Sequence, residues 1–115
     1  MTLVIPASVE CIGTEAFYNC PNLKEVAFAE EGNLKVIGIN CFAGSGLSEV
    51  QTPPSLREIE NGAFYDCCNL RFAWLNEGLT VLGNENNHFG GYQDYRLNGV
   101  FQASGVEEVL LPRTL

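Results

Sequence analysis

Ile59-Glu60-Asn61-Gly62-Ala63-Phe64-Tyr65-Asp66-Cys67-Cys68-Asn69-Leu70-Arg71-Phe72-Ala73-Trp74-Leu75 is the stretch that decides the fold. Its skeleton is I-x-x-x-A-F-x-x-C-x-x-L-x-x-A-x-L. The same skeleton starts at Ile12, at Ile37 and, after an interruption, at Leu82. A unit that recurs at a fixed spacing with its apolar residues at fixed offsets buries those residues against its own copies, because one unit is too short to enclose a core alone.

Working outward, units that begin at the first apolar residue span 9–33, 34–55, 56–78 and 79–114, and Leu115 opens a fifth. The first three are 25, 22 and 23 residues long and the fourth is 36. Aligned, they form ladders. Val9, Leu34, Leu56 and Leu79 make one, and Ile12, Ile37, Ile59 and Leu82 the next. The small residues Ala16, Cys41, Ala63 and Val100 precede Phe17, Phe42, Phe64 and Phe101. The segments led by Leu23, Leu47, Leu70 and Val106 read L-x-x-V-x-L, short strands with alternate side chains inward. Periods of this length with these offsets predict a right-handed leucine-rich-repeat solenoid, with short parallel β-strands stacked one per coil and little helix. Gly13, Gly38 and Gly83, each just after the second ladder residue, predict a tight turn there, with Glu60 standing in that place in the third unit.

These residues resemble the BspA-type leucine-rich repeats, whose units read A-F-x-x-C-x-x-L-x-x-V-x-L-P. Ala16-Phe17-Tyr18-Asn19-Cys20-Pro21-Asn22-Leu23 and Ala63-Phe64-Tyr65-Asp66-Cys67 carry the likeness, which leaves out only residues 84–98. The departures are Cys41 for the small Ala, Ser45 and Ser104 for the later Cys, and the interruption of the fourth unit. The resemblance implies a binding or adhesion module of a larger surface or secreted protein.

Composition bounds the function. Fourteen acids against six bases leave a net charge of -8, a surface that repels phosphate and disfavours nucleic acid and anionic membranes. No apolar run is long enough to span a bilayer. The start Met1-Thr2-Leu3-Val4-Ile5-Pro6 does not read as a signal peptide. Both ends fall in the same phase of the repeat, so the chain reads as cut from a longer array. Apolar edges such as Leu3, Ile5, Val109 and Leu111 are then expected to be bare and to favour self-association.

The five cysteines are Cys11, Cys20, Cys41, Cys67 and Cys68. Cys20 and Cys67 share a ladder but Ser45 stands between them, and two coil spacings of ~4.8 Å exceed the ~7 Å that a disulfide tolerates between Cα atoms. Cys20, Cys41 and Cys67 are read as small core residues, and Cys68 as outward-facing and reactive. No C-x-x-C pair exists and His88 is the only histidine, so no zinc site is expected. Asn84, Glu85, Asn86, Asn87 and Asp94 lack the spacing of a calcium loop. No Ser/His/Asp or Cys/His set and no phosphate-binding glycine loop is present. The chain is read as a non-enzyme without cofactors.

Two features remain as candidate binding elements. The insertion places seventeen residues between Leu82 and Val100 where the other units have three, and it carries Tyr92 and Tyr95. Loops inserted in solenoids bulge from one face and often bind. The outward strand positions are polar except in the third unit, which offers Arg71, Phe72 and Trp74, with Leu110 one coil on. Either these aromatics form a bare patch that meets a partner, or the insertion covers them as a satellite core. The expected function is protein recognition through the sheet face. A carbohydrate surface built on Trp74, Phe72, Tyr92 and Tyr95 and a passive structural spacer are the alternatives.

Overall fold

A computed structural model describes residues 2–83, 100–101 and 103–114. Its strands are β1 (Thr2–Ile5), β2 (Cys11–Ile12), β3 (Glu25–Phe28), β4 (Val36–Ile37), β5 (Glu49–Gln51), β6 (Glu58–Ile59), β7 (Phe72–Trp74), β8 (Val81–Leu82) and β9 (Glu108–Leu110). All pair in parallel, each with the strand one coil away, so the chain is a parallel β-solenoid of about four turns. Val100 and Phe101 are the only helical residues among those described.

Each coil carries two strands where the L-x-x-V-x-L reading expects one. The second is the Ile ladder, which forms the sheet β2-β4-β6-β8 on the opposite wall. A run of only two residues beside a turn offers too short an alternation to read as a strand. Between the walls sit Ile37, Ile59, Leu70, Leu47, Leu56 and Leu79, all fully buried. Down the middle run four phenylalanines. The rings of Phe17 and Phe42, Phe42 and Phe64, and Phe64 and Phe101 lie 5.6, 5.7 and 5.4 Å apart, within 8° of parallel, in the offset stacking that aromatic quadrupoles favour. Phe42, Phe64 and Phe101 are wholly buried, whereas Phe17 is half-buried and the adjoining Ala16 exposed. Residues 2–8 supply the strand side of a preceding coil but nothing that covers these two.

The expected tight turns begin at Gly13 and Gly38, whose carbonyls accept from the Ala16 N–H at 3.3 Å and the Cys41 N–H at 3.2 Å. The left-handed backbone does not lie at Gly13 or Gly38. It lies two residues on, at Glu15 (φ 58°), Asn40 (55°) and Gly62 (70°), and again at Asn19 (55°), Gly44 (74°), Asp66 (56°) and Ala103 (61°). Asn and Asp tolerate this region and Gly adopts it freely, which explains most of the residues found. Of the three expected glycines only Gly83 has positive φ. Glu60, outside that region, is accommodated and donates its N–H to the Ile37 carbonyl at 2.9 Å.

The turn after the Phe ladder alternates in length. Six steps separate Phe17 from Leu23 and Phe64 from Leu70, but five separate Phe42 from Leu47 and Phe101 from Val106. Each short turn carries a glycine, Gly46 or Gly105, tucked beneath the preceding longer turn. A Cβ at Gly46 would collide with the Pro21 carbonyl oxygen, and one at Gly105 with that of Cys68.

Ile5 is buried rather than bare, because β1 lies along β3 and faces inward at that residue. Leu3 and Val109 are half-buried, Leu111 is 36% exposed, and the most exposed large apolar residues on these strands are Val4 and Leu110.

Candidate binding face

On the wall opposite the Ile sheet, β5, β7 and β9 pair in register, with Glu49, Phe72 and Glu108 in one row and Gln51, Trp74 and Leu110 in the next. Between the rows, Val50 and Ala73 point inward and are buried. Side chains alternate along a strand, so Phe72 and Trp74 share the outward side of β7. They are half-buried there, with ring centroids 5.9 Å apart and planes within 5° of parallel. Each supplies much of the other's cover. Leu110 beside Trp74 is 57% exposed, and Arg71 is exposed. The structure therefore brings Phe72, Trp74 and Leu110 together, with Arg71 exposed just before β7. Tyr92, Tyr95, His88 and the candidate oxygen ligands from Asn84 to Asp94 lie outside the described residues.

A feature that the sequence reading missed adjoins this face. The outward wall is not one sheet: β1 pairs with β3, β5 with β7 and β9, and no ladder joins β3 to β5. A groove of about 930 Å³ runs from β3 across β5 to Trp74 and Leu110. Past the strand ends, the Thr52 hydroxyl donates to Asn76 Oδ1 at 2.7 Å and accepts from the Asn76 N–H at 2.8 Å, while Asn76 Nδ2 donates to the Leu56 carbonyl at 2.9 Å. A threonine at an apolar ladder position was the visible sign of this link.

The cysteines are all unpaired. Cys41 and Cys67 are buried, while Cys20 is half-buried. Ser45 Oγ lies 3.4 Å from Cys67 Sγ, and that thiol donates to the Phe42 carbonyl at 3.2 Å. Burial pushes the Cys41 thiol from 9.0 up to about 12 and raises Cys67 as well. Cys68 faces outward, but the reactivity expected of it is corrected. Its thiol donates to Asp66 Oδ1 at 3.3 Å, and this hydrogen bond and the carboxylate charge hold its pKa above the ordinary value, so less of the nucleophilic thiolate is present. Among the described residues, no group of three His, Cys, Asp or Glu side chains is placed to hold a metal ion, and no helix is long and apolar enough to cross a membrane.

Geometry of this kind defines a β-solenoid repeat module with a mixed aromatic and acidic sheet face. The profile described as BspA type leucine rich repeat region (6 copies) matches residues 1–91, and the chain belongs to that family. The match ends inside the insertion, yet Phe101 and β9 carry the coil beyond it. Among solved structures, a leucine-rich repeat protein from Bacteroides ovatus is similar at TM-score 0.69 and 20% identity, over 94% of this chain and 24% of that one. The pneumococcal vaccine antigen PcpA aligns at TM-score 0.44 and 19% identity, over 99% of this chain and 40% of that one. The chain thus spans under half the length of either. No curated protein matches it in sequence.

Proposed function

We propose that the chain is a non-catalytic protein-recognition module that binds through the sheet face centred on Phe72 and Trp74. The observation that supports it is the stacked pair on the outward side of β7, bordered by the exposed Leu110. Tryptophan, other aromatics and arginine are the side chains that most often anchor protein interfaces, and a preformed stack loses little side-chain entropy when a partner covers it. Around it, Glu49, Glu107 and Glu108 form an acidic rim broken by Arg71. That rim, with the overall charge of -8, favours a basic protein surface.

The near-parallel rings also fit the face of a sugar. Salt separates the two. Capture of a basic protein should weaken as ionic strength rises, whereas stacking on a glycan should hardly change. The direct test is Trp74→Ala, followed on a panel of basic proteins and on a glycan array. The expected loss is about tenfold or more in affinity for the protein that binds. An unchanged affinity in a folded variant moves the site off this face, and Tyr92 and Tyr95 then become the residues to test. Binding to neither panel favours the structural spacer.

A further inference from the structure

The break between β3 and β5 is the least expected part of the molecule. Coils one and two are hydrogen-bonded along the opposite wall and the adjoining turn, from Lys35 N–H to the Glu10 carbonyl at 2.7 Å through to Asn19 N–H and the Ala43 carbonyl at 2.7 Å. They meet closely where Gly46 tucks beneath Pro21. Past Leu23 no backbone hydrogen bond joins them on the strand side, whereas the next coil pair is laced there by its ladder, by Arg71 N–H to the Ser48 carbonyl and by Thr52 N–H to the Trp74 carbonyl.

Burial gives independent evidence of the opening. The inward strand positions of the second and third coils are sealed, with Val50 at 1%, Thr52 at 5% and Ala73 at 0% exposure. Their counterparts Val26 and Phe28 are only half-buried and line the groove. Being near an end does not explain Phe28, since Ile5, one coil further out, is more buried than the Phe28 beside it.

Backbone groups alternate in direction along a strand. Ser48 and Thr52 bond toward β7, so the N–H and C=O groups of Glu49 and Gln51 point toward β3, with which they form no ladder. Exposed Glu25, Glu30, Glu31 and Glu49 surround this edge, against Lys24 as the only base among the described residues that line the groove.

We propose that the seam between β3 and β5 is a docking slot for an extended segment of a partner protein, with basic side chains alternating with apolar ones. The segment adds to the free edge of β5, sets an apolar side chain over Val26 and Phe28, and places its lysines or arginines among the four glutamates. This is strand addition, in which main-chain bonds give affinity and alternate side chains give selectivity. The proposal rests on the protein-recognition reading and names the chemistry of the partner.

The test uses a short acetylated peptide of alternating lysine and valine, labelled for fluorescence anisotropy, with a glutamate–valine peptide and a copy N-methylated at alternate amides as controls. Hydrogen exchange reads the site. The lysine–valine peptide should bind, both controls should fail, and exchange should slow at the Glu49 and Gln51 amides. The double variant Glu30→Lys/Glu31→Lys, on an exposed loop where folding is not at risk, should weaken binding about tenfold or more. No binding, equal binding by the N-methylated peptide, or protection away from β5 overturns the proposal. Loss on Trp74→Ala with no effect of the double variant and no protection at β5 keeps the aromatic face and removes the slot. Protection at β5 that is indifferent to Trp74→Ala keeps the slot and removes the aromatic face.

Discussion

Phe64 is the residue on which most of the packing converges. It stacks on Phe42 and on Phe101 and is fully buried. Its N–H donates to the Val100 carbonyl across the insertion. Phe64→Ala should therefore cost about 3–5 kcal/mol, measured by chemical denaturation, and a midpoint that scarcely moves would show that the ladder does not bear the core. Cys41 supports a second expectation. Burial keeps its thiol protonated up to about 12 when folded, while the unfolded thiol ionises near 9.0. The unfolded state then binds fewer protons above the lower value, so the contribution of this thiol to stability is full below pH 9.0, falls as pH rises and is lost by about pH 12. Cys41→Ala, which installs the residue found at Ala63, should flatten that alkaline decline relative to the parent chain, read as melting temperature against pH.

At the scale of the element, the turns are where local chemistry and backbone disagree most. Ala103 holds φ 61° without the side-chain help that Asn19 or Asp66 can give at the same step. A Cβ in that region costs roughly 1–2 kcal/mol, and glycine's extra freedom in the unfolded chain costs about 0.5–1 kcal/mol. Ala103→Gly should thus stabilise the protein, by up to about 1 kcal/mol, and a lower denaturation midpoint would contradict it. Such turns also mark how far the sequence could be read. The ladders of Ile, Phe and Leu were legible because each core position repeats with the coil, and so was the outward side of Phe72 and Trp74, set by the alternation around Ala73. The left-handed positions were not, because Glu15, Asn40 and Gly62 share one conformation without sharing a residue type. Nor was the seam, since the strand positions of β3 and β5 follow the same pattern as those of strands that do pair. Its one trace is the segment 29–33 beside the groove, five residues where the next two units have three, which as sequence shows only a difference in length.

For the whole molecule, the faces normal to the coil axis govern behaviour in solution. Val4 on β1 and Leu110 and Leu111 at the close of the last coil are exposed, and Ala16 and the flank of Phe17 lie open on the first. Open strand edges with apolar neighbours invite pairing between copies. This chain should associate reversibly as its concentration rises, and sedimentation showing a monomer throughout would refute that. The alternation of long and short turns has a different consequence. Gly46 and Gly105 each lie against a carbonyl of the long turn before them, that of Pro21 or Cys68, which leaves no room for a Cβ. Both short turns thus follow a long one, and along the stack the turn repeats every two coils rather than every coil. Duplicating residues 34–55 alone would therefore set two short turns face to face, while duplicating 9–55 would keep long and short turns alternating along the axis.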